Sequence, residues 1–270
     1  MTTEHVNGID IHHEVHGRSD ADARWVLNIG GTGGDLRETF PHSSPLNTAF
    51  RVLHYDQRGL GQTSKPETDY TMEQYADDAA ALIERVIAPT GTQRCHVVGT
   101  SFGGMVALHL ALRHPDLVDR LVLLVTSPGG EYPSHPLSQL QADTPQDAFE
   151  TRMRLLDRRW DPDADEPIPG IGGIYDIVKM RALRTLTPDV AAGLARQIAA
   201  RDGHDVLDRL ESIPHRTFVA CGRHDDQAPA ENSQVLADRM PNATVQVFEG
   251  GHLLALQDPT VWPTVLDFLS

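Results

Sequence analysis

Six short runs rich in β-branched or large apolar residues punctuate the chain, at 25–29, 51–55, 95–98, 121–125, 217–221 and 244–248, and most are followed by Gly or Asp. Between them lie segments with helical apolar spacing at 72–87, 102–113, 230–240 and 259–269, the last opening on Pro259. Strand and helix in alternation bury their apolar faces as a mainly parallel sheet with helices on both sides. The chain opens differently. Residues 6–15 alternate around Asn7-Gly8, a dipeptide that supplies the positive φ angles of a tight hairpin, so an antiparallel pair is expected first.

One connection breaks the rhythm. From Thr126 to Arg216, 91 residues separate consecutive strands, where a crossover helix with its loops needs roughly 15–25. The excess reads as helices at 145–159, 174–186, 188–200 and 206–212 around an acidic, Pro- and Gly-rich stretch at 161–173. We assign 130–212 as a helical cap over the end of the sheet, and 1–129 with 213–270 as the core it interrupts.

Composition excludes several function classes. With 40% apolar and 23% charged residues the chain is an ordinary globular one. Its formal charge of −15 repels phosphate backbones and anionic lipid, so no nucleic-acid or membrane partner is expected, only a small-molecule substrate. Cys95 and Cys221 form neither a disulfide framework nor a metal-ligand spacing, which points to a reducing compartment. The N-terminus has no basic segment leading into an apolar one, and the longest apolar run is the five residues at 121–125, so a soluble, cytoplasmic protein is expected. Among 14 histidines the densest group, His12, His13 and His16, sits in the opening hairpin, and HExxH is absent, so no metal is expected. The oligomeric state is not encoded in any of these features.

The chemistry concentrates at Gly99-Thr100-Ser101-Phe102-Gly103-Gly104, between an expected strand and an expected helix. This G-x-S-x-G pattern fits a sharp elbow in which Gly99 and Gly103 leave room for the turn and Ser101 is exposed at a helix N-terminus, where negative charge is favoured. A serine hydroxyl needs a base held by a carboxylate. His252 follows the last strand behind two glycines, and Asp225 follows the preceding strand, with Asp226 as a competitor. Donors for a developing oxyanion are expected from the amide of Phe102 and from the loop Asn28-Ile29-Gly30-Gly31-Thr32-Gly33-Gly34-Asp35. The four glycines of that loop, Gly30, Gly31, Gly33 and Gly34, should let the main chain approach closely, and Thr32 is the candidate donor. It lacks GKS/T and the full G-x-G-x-x-G spacing, which argues against a nucleotide cradle.

With Tyr55-Asp-Gln-Arg-Gly-Leu-Gly-Gln-Thr-Ser64, similar to a D-x-R-G-x-G-x-S turn, and the stretch beginning His114-Pro-Asp-Leu-Val, the sequence resembles the α/β-hydrolase superfamily over nearly its whole length except the cap. The resemblance implies an α/β fold with a mostly parallel eight-stranded sheet, a helical cap inserted after strand 6, a Ser101-His252-Asp225 triad and no cofactor. Relatives commonly place the acid three residues after a Gly and four before a Pro, and Gly222 and Pro229 both select Asp225. Many relatives carry His-Gly where this chain has Gly30-Gly31, which leaves the second oxyanion donor open by a residue or so.

The chain is most similar to capped esterases and lactonases, which implies a serine hydrolase of a small, largely apolar ester or lactone. Carbon–carbon bond hydrolases, and lyases, cyclases, cofactor-free oxygenases and ligand-binding proteins on the same scaffold, remain as alternatives. Met153, Leu155, Leu156, Trp160, Ile168, Ile171, Ile174, Tyr175 and Met180 give the insert more apolar mass than a surface hairpin needs. Most should pack cap helices. Trp160, Ile174, Tyr175 and Met180, with Leu253 from the last loop, are the candidates to line an apolar pocket suited to an uncharged or weakly polar acyl group. The Gly- and Pro-rich stretch around Gly170 would let this roof move.

Overall fold

The computed structural model describes residues 2–140 and 144–270. Among them, eight strands form one sheet: β1 (Thr2–Val6), β2 (Ile9–Gly17), β3 (Trp25–Ile29), β4 (Arg51–Tyr55), β5 (Cys95–Thr100), β6 (Val118–Leu124), β7 (Arg216–Gly222) and β8 (Ala243–Phe248). Their order is β1-β2-β4-β3-β5-β6-β7-β8. The hairpin β1–β2 turns on Asn7 (φ 50°) and Gly8 (φ 76°) and pairs antiparallel with β4; every later pairing is parallel. The helices are α1 (Leu36–Thr39), α2 (Met72–Leu82), α3 (Phe102–Arg113), α4 (Pro145–Leu156), α5 (Ile174–Leu183), α6 (Pro188–Asp202), α7 (Ala230–Arg239), α8 (Leu254–Gln257) and α9 (Val261–Leu269).

The period-two alternation of the strands divides the core. Leu27, Leu53, Val97, Leu121 and Val219 face α2, α3 and α7, while their neighbours Val26, Val52, Val98, Val122 and Phe218 face α9 and the loop residues Leu46 and Phe50. Both faces are covered, so the central strands read as near-continuous apolar runs. Helix α2 starts in a capping box in which Thr71 and Gln74 exchange side-chain-to-backbone bonds, and it continues through a π turn at Ile83–Ile87.

Between β6 and β7 the chain forms α4, α5 and α6 and then a 3-10 segment, Leu207–Ser212, in place of the expected last helix. This insert has a small apolar centre of its own: Phe149, Met153, Leu156, Trp160, Ile168 and Ile171. Helix α4 ends at Leu156 because Asp157 is extended (φ −153°) and its carboxylate takes the Arg159 amide, so the helix is three residues shorter than its apolar pattern suggests. Among the described residues, no helix is long and apolar enough to cross a membrane.

Candidate active site

Ser101 stands at the junction of β5 and α3 with φ 54° and ψ −116°. A non-glycine residue there is strained, and the surroundings hold it. Its amide donates to Leu124 O (2.8 Å), and its carbonyl accepts from Gly104 N and Thr126 Oγ1 (both 2.8 Å). A Cβ on Gly99 would lie 2.4 Å from Gly103 O, and one on Gly103 would lie 2.1 Å from Ile29 O, so the elbow excludes side chains at both positions. Gly31 is different: its Cβ would meet Ser101 Cβ at an ordinary 3.6 Å, and Gly30 has open space. Their expected role in close approach does not follow from the packing. Of the four loop glycines, Gly33 is the one at positive φ, 73°.

The structure brings His252 and Asp225 to this serine. His252 Nε2 is 2.9 Å from Ser101 Oγ, and His252 Nδ1 is 2.7 Å from Asp225 Oδ2. Asp225 is fully buried, and its other oxygen accepts the amides of Gln227 and Ala228, both at 2.8 Å. Charge-assisted bonds of this kind hold a carboxylate in one orientation. Asp226 turns outward to Arg158 at 3.2 Å and is nearly half exposed. The side-chain amide of Gln227 sits 2.8 Å from His252 Nε2. With Nδ1–H donated to Asp225, that nitrogen has one lone pair, which the Ser101 hydroxyl and the Gln227 amide share.

The first-turn amide of Phe102 has no acceptor among the described residues, and Thr32, with an unpartnered and buried Oγ1, borders the same space as Ser101. The loop carrying Thr32 is braced from two sides. Gln57 Nε2 donates to Gly30 O (2.7 Å) from the core, and Gln197 Oε1 on α6 accepts Gly33 N (2.8 Å) from the cap. Asp56 closes the brace by accepting Leu36 N (2.7 Å) and Gln62 N (2.8 Å), and burial pushes its carboxyl above the ordinary value. Sequence reasoning missed Gln57, Gln197 and Gln227. Gln57 lies inside the D-x-R-G turn and Gln227 two residues after the acid, which are usable signals; nothing in the sequence marks Gln197.

A cavity of about 450 Å³ opens over Ser101 and His252. Its apolar wall includes Leu137, Met153, Leu156, Leu194, Ile198 and Leu253. Of the lining expected from sequence, Leu253 is present and the others are elsewhere. Trp160 is buried in the cap's own centre and donates to Tyr175 Oη (3.2 Å), while Ile174 and Met180 are exposed, Met180 to 65%. Trp160 and Tyr175 serve the cap's internal packing and Ile174 and Met180 face solvent, a distinction that hydropathy alone does not make. Nor is the lining uncharged: Asp35, Glu38, Arg152, Arg181 and Arg184 all border the cavity. No cluster of three His, Cys, Asp or Glu suited to a metal occurs among the described residues.

The sequence model for the alpha/beta hydrolase fold matches residues 24–160. A relative from Caulobacter segnis named "Putative carbamate hydrolase RutD" is 32% identical over 96% of this chain and 95% of that protein. The protein of the same name from Agrobacterium fabrum is 28% identical over 96% and 98%. Among solved structures, the enol-lactonase from Burkholderia xenovorans is similar with a TM-score of 0.80, at 23% identity over 99% of each chain. A meta-cleavage product hydrolase from Pseudomonas fluorescens follows with a TM-score of 0.76, at 21% identity over 99% and 97%. The strand order, the serine elbow and these matches agree: this chain belongs to the α/β-hydrolase fold family and is a hydrolase.

Proposed function

We propose that the chain is a cofactor-independent serine hydrolase that cleaves a carboxylic ester or lactone of a small, largely apolar molecule through an acyl-Ser101 intermediate. The observation that carries this reading is the continuous chain from Ser101 Oγ through His252 to the buried Asp225, with steps of 2.9 and 2.7 Å. His252 Nε2 takes the hydroxyl proton as Oγ bonds to the carbonyl carbon, and the carbonyl electron pair moves onto oxygen. The amides of Phe102 and Thr32 receive that charge. Collapse breaks the bond to the leaving alcohol, which takes the proton from His252, and water then repeats the sequence on the acyl-enzyme. Asp225 keeps the base in one tautomer and balances the imidazolium. Cys95 and Cys221, buried and unpaired, suit a reducing cytoplasm.

The names of the RutD relatives favour a second reading, hydrolysis of a carbamate, in which the same serine attacks a carbonyl bearing nitrogen. A panel of one ester, one lactone and one carbamate of matched size separates the two by kcat/KM. Ester or lactone turnover is expected to dominate and to vanish in Ser101→Ala; turnover that survives this substitution contradicts the acyl-serine mechanism.

A further inference from the structure

The charged residues around the cavity are unequally matched. Asp35 caps α1 and is held by Arg37, with contacts of 2.9 and 2.6 Å. Glu38 is shared between Arg184, in direct contact, and Arg181 at 3.8 Å. Arg152 stands apart. It lies on α4 with Met153 and Leu156, half-buried on the cavity wall, and has no hydrogen-bond or carboxylate partner among the described residues.

Among the described residues, nothing around it offsets this charge. Burial pulls the Arg152 guanidinium below its ordinary value. Arg201 on α6 feels Arg152 as a like charge; its Nη1 is met by Asp202 (3.1 Å) and by His135 O (2.9 Å), while its Nε and Nη2, on a buried side chain, have no acceptors among the described residues. An unpaired, partly desolvated guanidinium is costly to keep, and charge-assisted bonds to a carboxylate are its natural complement. The molecule as a whole carries −15, so attraction for an anion has to be local.

From this we infer that the substrate of Ser101 carries a carboxylate on its acyl part, which Arg152 binds at the cavity wall while the apolar side chains hold the intervening chain. It departs, at the far end of the acyl chain, from the uncharged or weakly polar acyl group expected from the sequence. Its kinetic test rests on the acyl-serine reading; its binding test does not.

The kinetic test compares mono-4-nitrophenyl adipate with 4-nitrophenyl hexanoate, which share chain length and leaving group and differ in the terminal carboxylate. The protein is expected to prefer the adipate ester by roughly 10- to 100-fold in kcat/KM, the range of one charge-assisted contact, and Arg152→Gln should remove most of that ratio. Arg154→Gln removes an equal charge from an exposed site two residues away, over the Trp160 ring, and should keep the ratio. The binding test is calorimetry of adipate with the Ser101→Ala protein, where saturable binding is expected, absent for hexane-1,6-diol and weakened about tenfold or more by adding Arg152→Gln. A wild-type ratio of one or below, or a ratio equally reduced by Arg154→Gln, overturns the inference. Hexanoate turnover without adipate preference overturns it and leaves the acyl-serine reading intact. If neither ester is cleaved, the ester reading fails and adipate binding alone decides the anion site. Should Arg152→Gln not fold, the wild-type ratio and adipate binding to Ser101→Ala still decide it.

Discussion

At the scale of single residues, the choice between two adjacent aspartates is the sharpest consequence of the geometry. Asp225 is buried with one oxygen on His252 and the other on two amides, whereas the Asp226 carboxylate reaches the exposed Arg158. Asp225→Asn is expected to lower kcat by about 10⁴-fold with little change in melting temperature, because the amide favours the wrong imidazole tautomer and cannot balance the imidazolium. Asp226→Asn should change stability by less than about 1 kcal/mol and leave kcat within a few-fold. Steady-state kinetics with thermal melts on both variants check this, and a crippled Asp226→Asn beside a normal Asp225→Asn reverses the assignment. The meeting of Ser101, Asp225 and His252 is legible in the sequence because strand ends and glycines mark the elbow and the last two loops, and because the resemblance to relatives selects Asp225 over Asp226. The placement of Trp160, Ile174, Tyr175 and Met180 is not legible, because an apolar residue in an insert looks the same whether it faces a cap centre, a cavity or solvent. Arg152 was illegible for the complementary reason: only the fold shows that it has no counter-ion among the described residues.

At the scale of elements, the C-terminal end of α4 holds the loops that carry Asp225 and His252. Leu155 O accepts the amides of Asp226 (3.1 Å) and Gln227 (2.9 Å), and Leu156 O accepts the amide of His252. Gln257, at the end of α8, ties the same parts together: its Oε1 accepts Gly251 N (2.8 Å), and its Nε2 donates to Asp157 Oδ2 (2.7 Å) and Pro169 O (2.9 Å). Gly170 packs against it, with a Cβ position 2.8 Å from Gln257 O, so the stretch expected to hinge the roof is tied to the core at this point. Gln257→Leu leaves these buried partners unsatisfied and is expected to cost about 2–4 kcal/mol, with kcat falling as His252 loses its fixed position. Urea unfolding and kinetics test it, and unchanged values on both would show that the tie is unimportant. Gly251→Ala should be worse, since its Cβ would fall 2.1 Å from Leu156 O. The alternation of strands and helices was readable because every central strand is apolar on both faces. Helix α8 was not, since four residues are too few to show a helical period, and the role of Gln257 went unseen with it.

At the scale of the whole molecule, buried histidines set the response to acid. Burial lowers His54 and His109 to about 4 and His204 to about 3, and it lowers His96 as well. An unfolded histidine titrates near ~6.5, so between there and about 4 the unfolded chain binds protons that the folded chain refuses. Stability therefore falls as pH drops through this window, by up to about 1.4 kcal/mol per pH unit for each such histidine, and the slope flattens below the folded values. Urea midpoints at pH 7, 6 and 5 should decrease in that order; a constant or rising midpoint contradicts the burial of these rings as neutral species. Chelators should not change activity, because the proposed steps run through Ser101, His252 and Asp225 alone. The central claim, that Ser101 becomes acylated, is tested most directly by rapid-quench intact-protein mass spectrometry during turnover of 4-nitrophenyl hexanoate. A transient mass gain equal to the hexanoyl group, localised to the peptide containing Ser101 and absent from Ser101→Ala, is the predicted result. Turnover with no adduct on Ser101, or with the adduct on another residue, would contradict it.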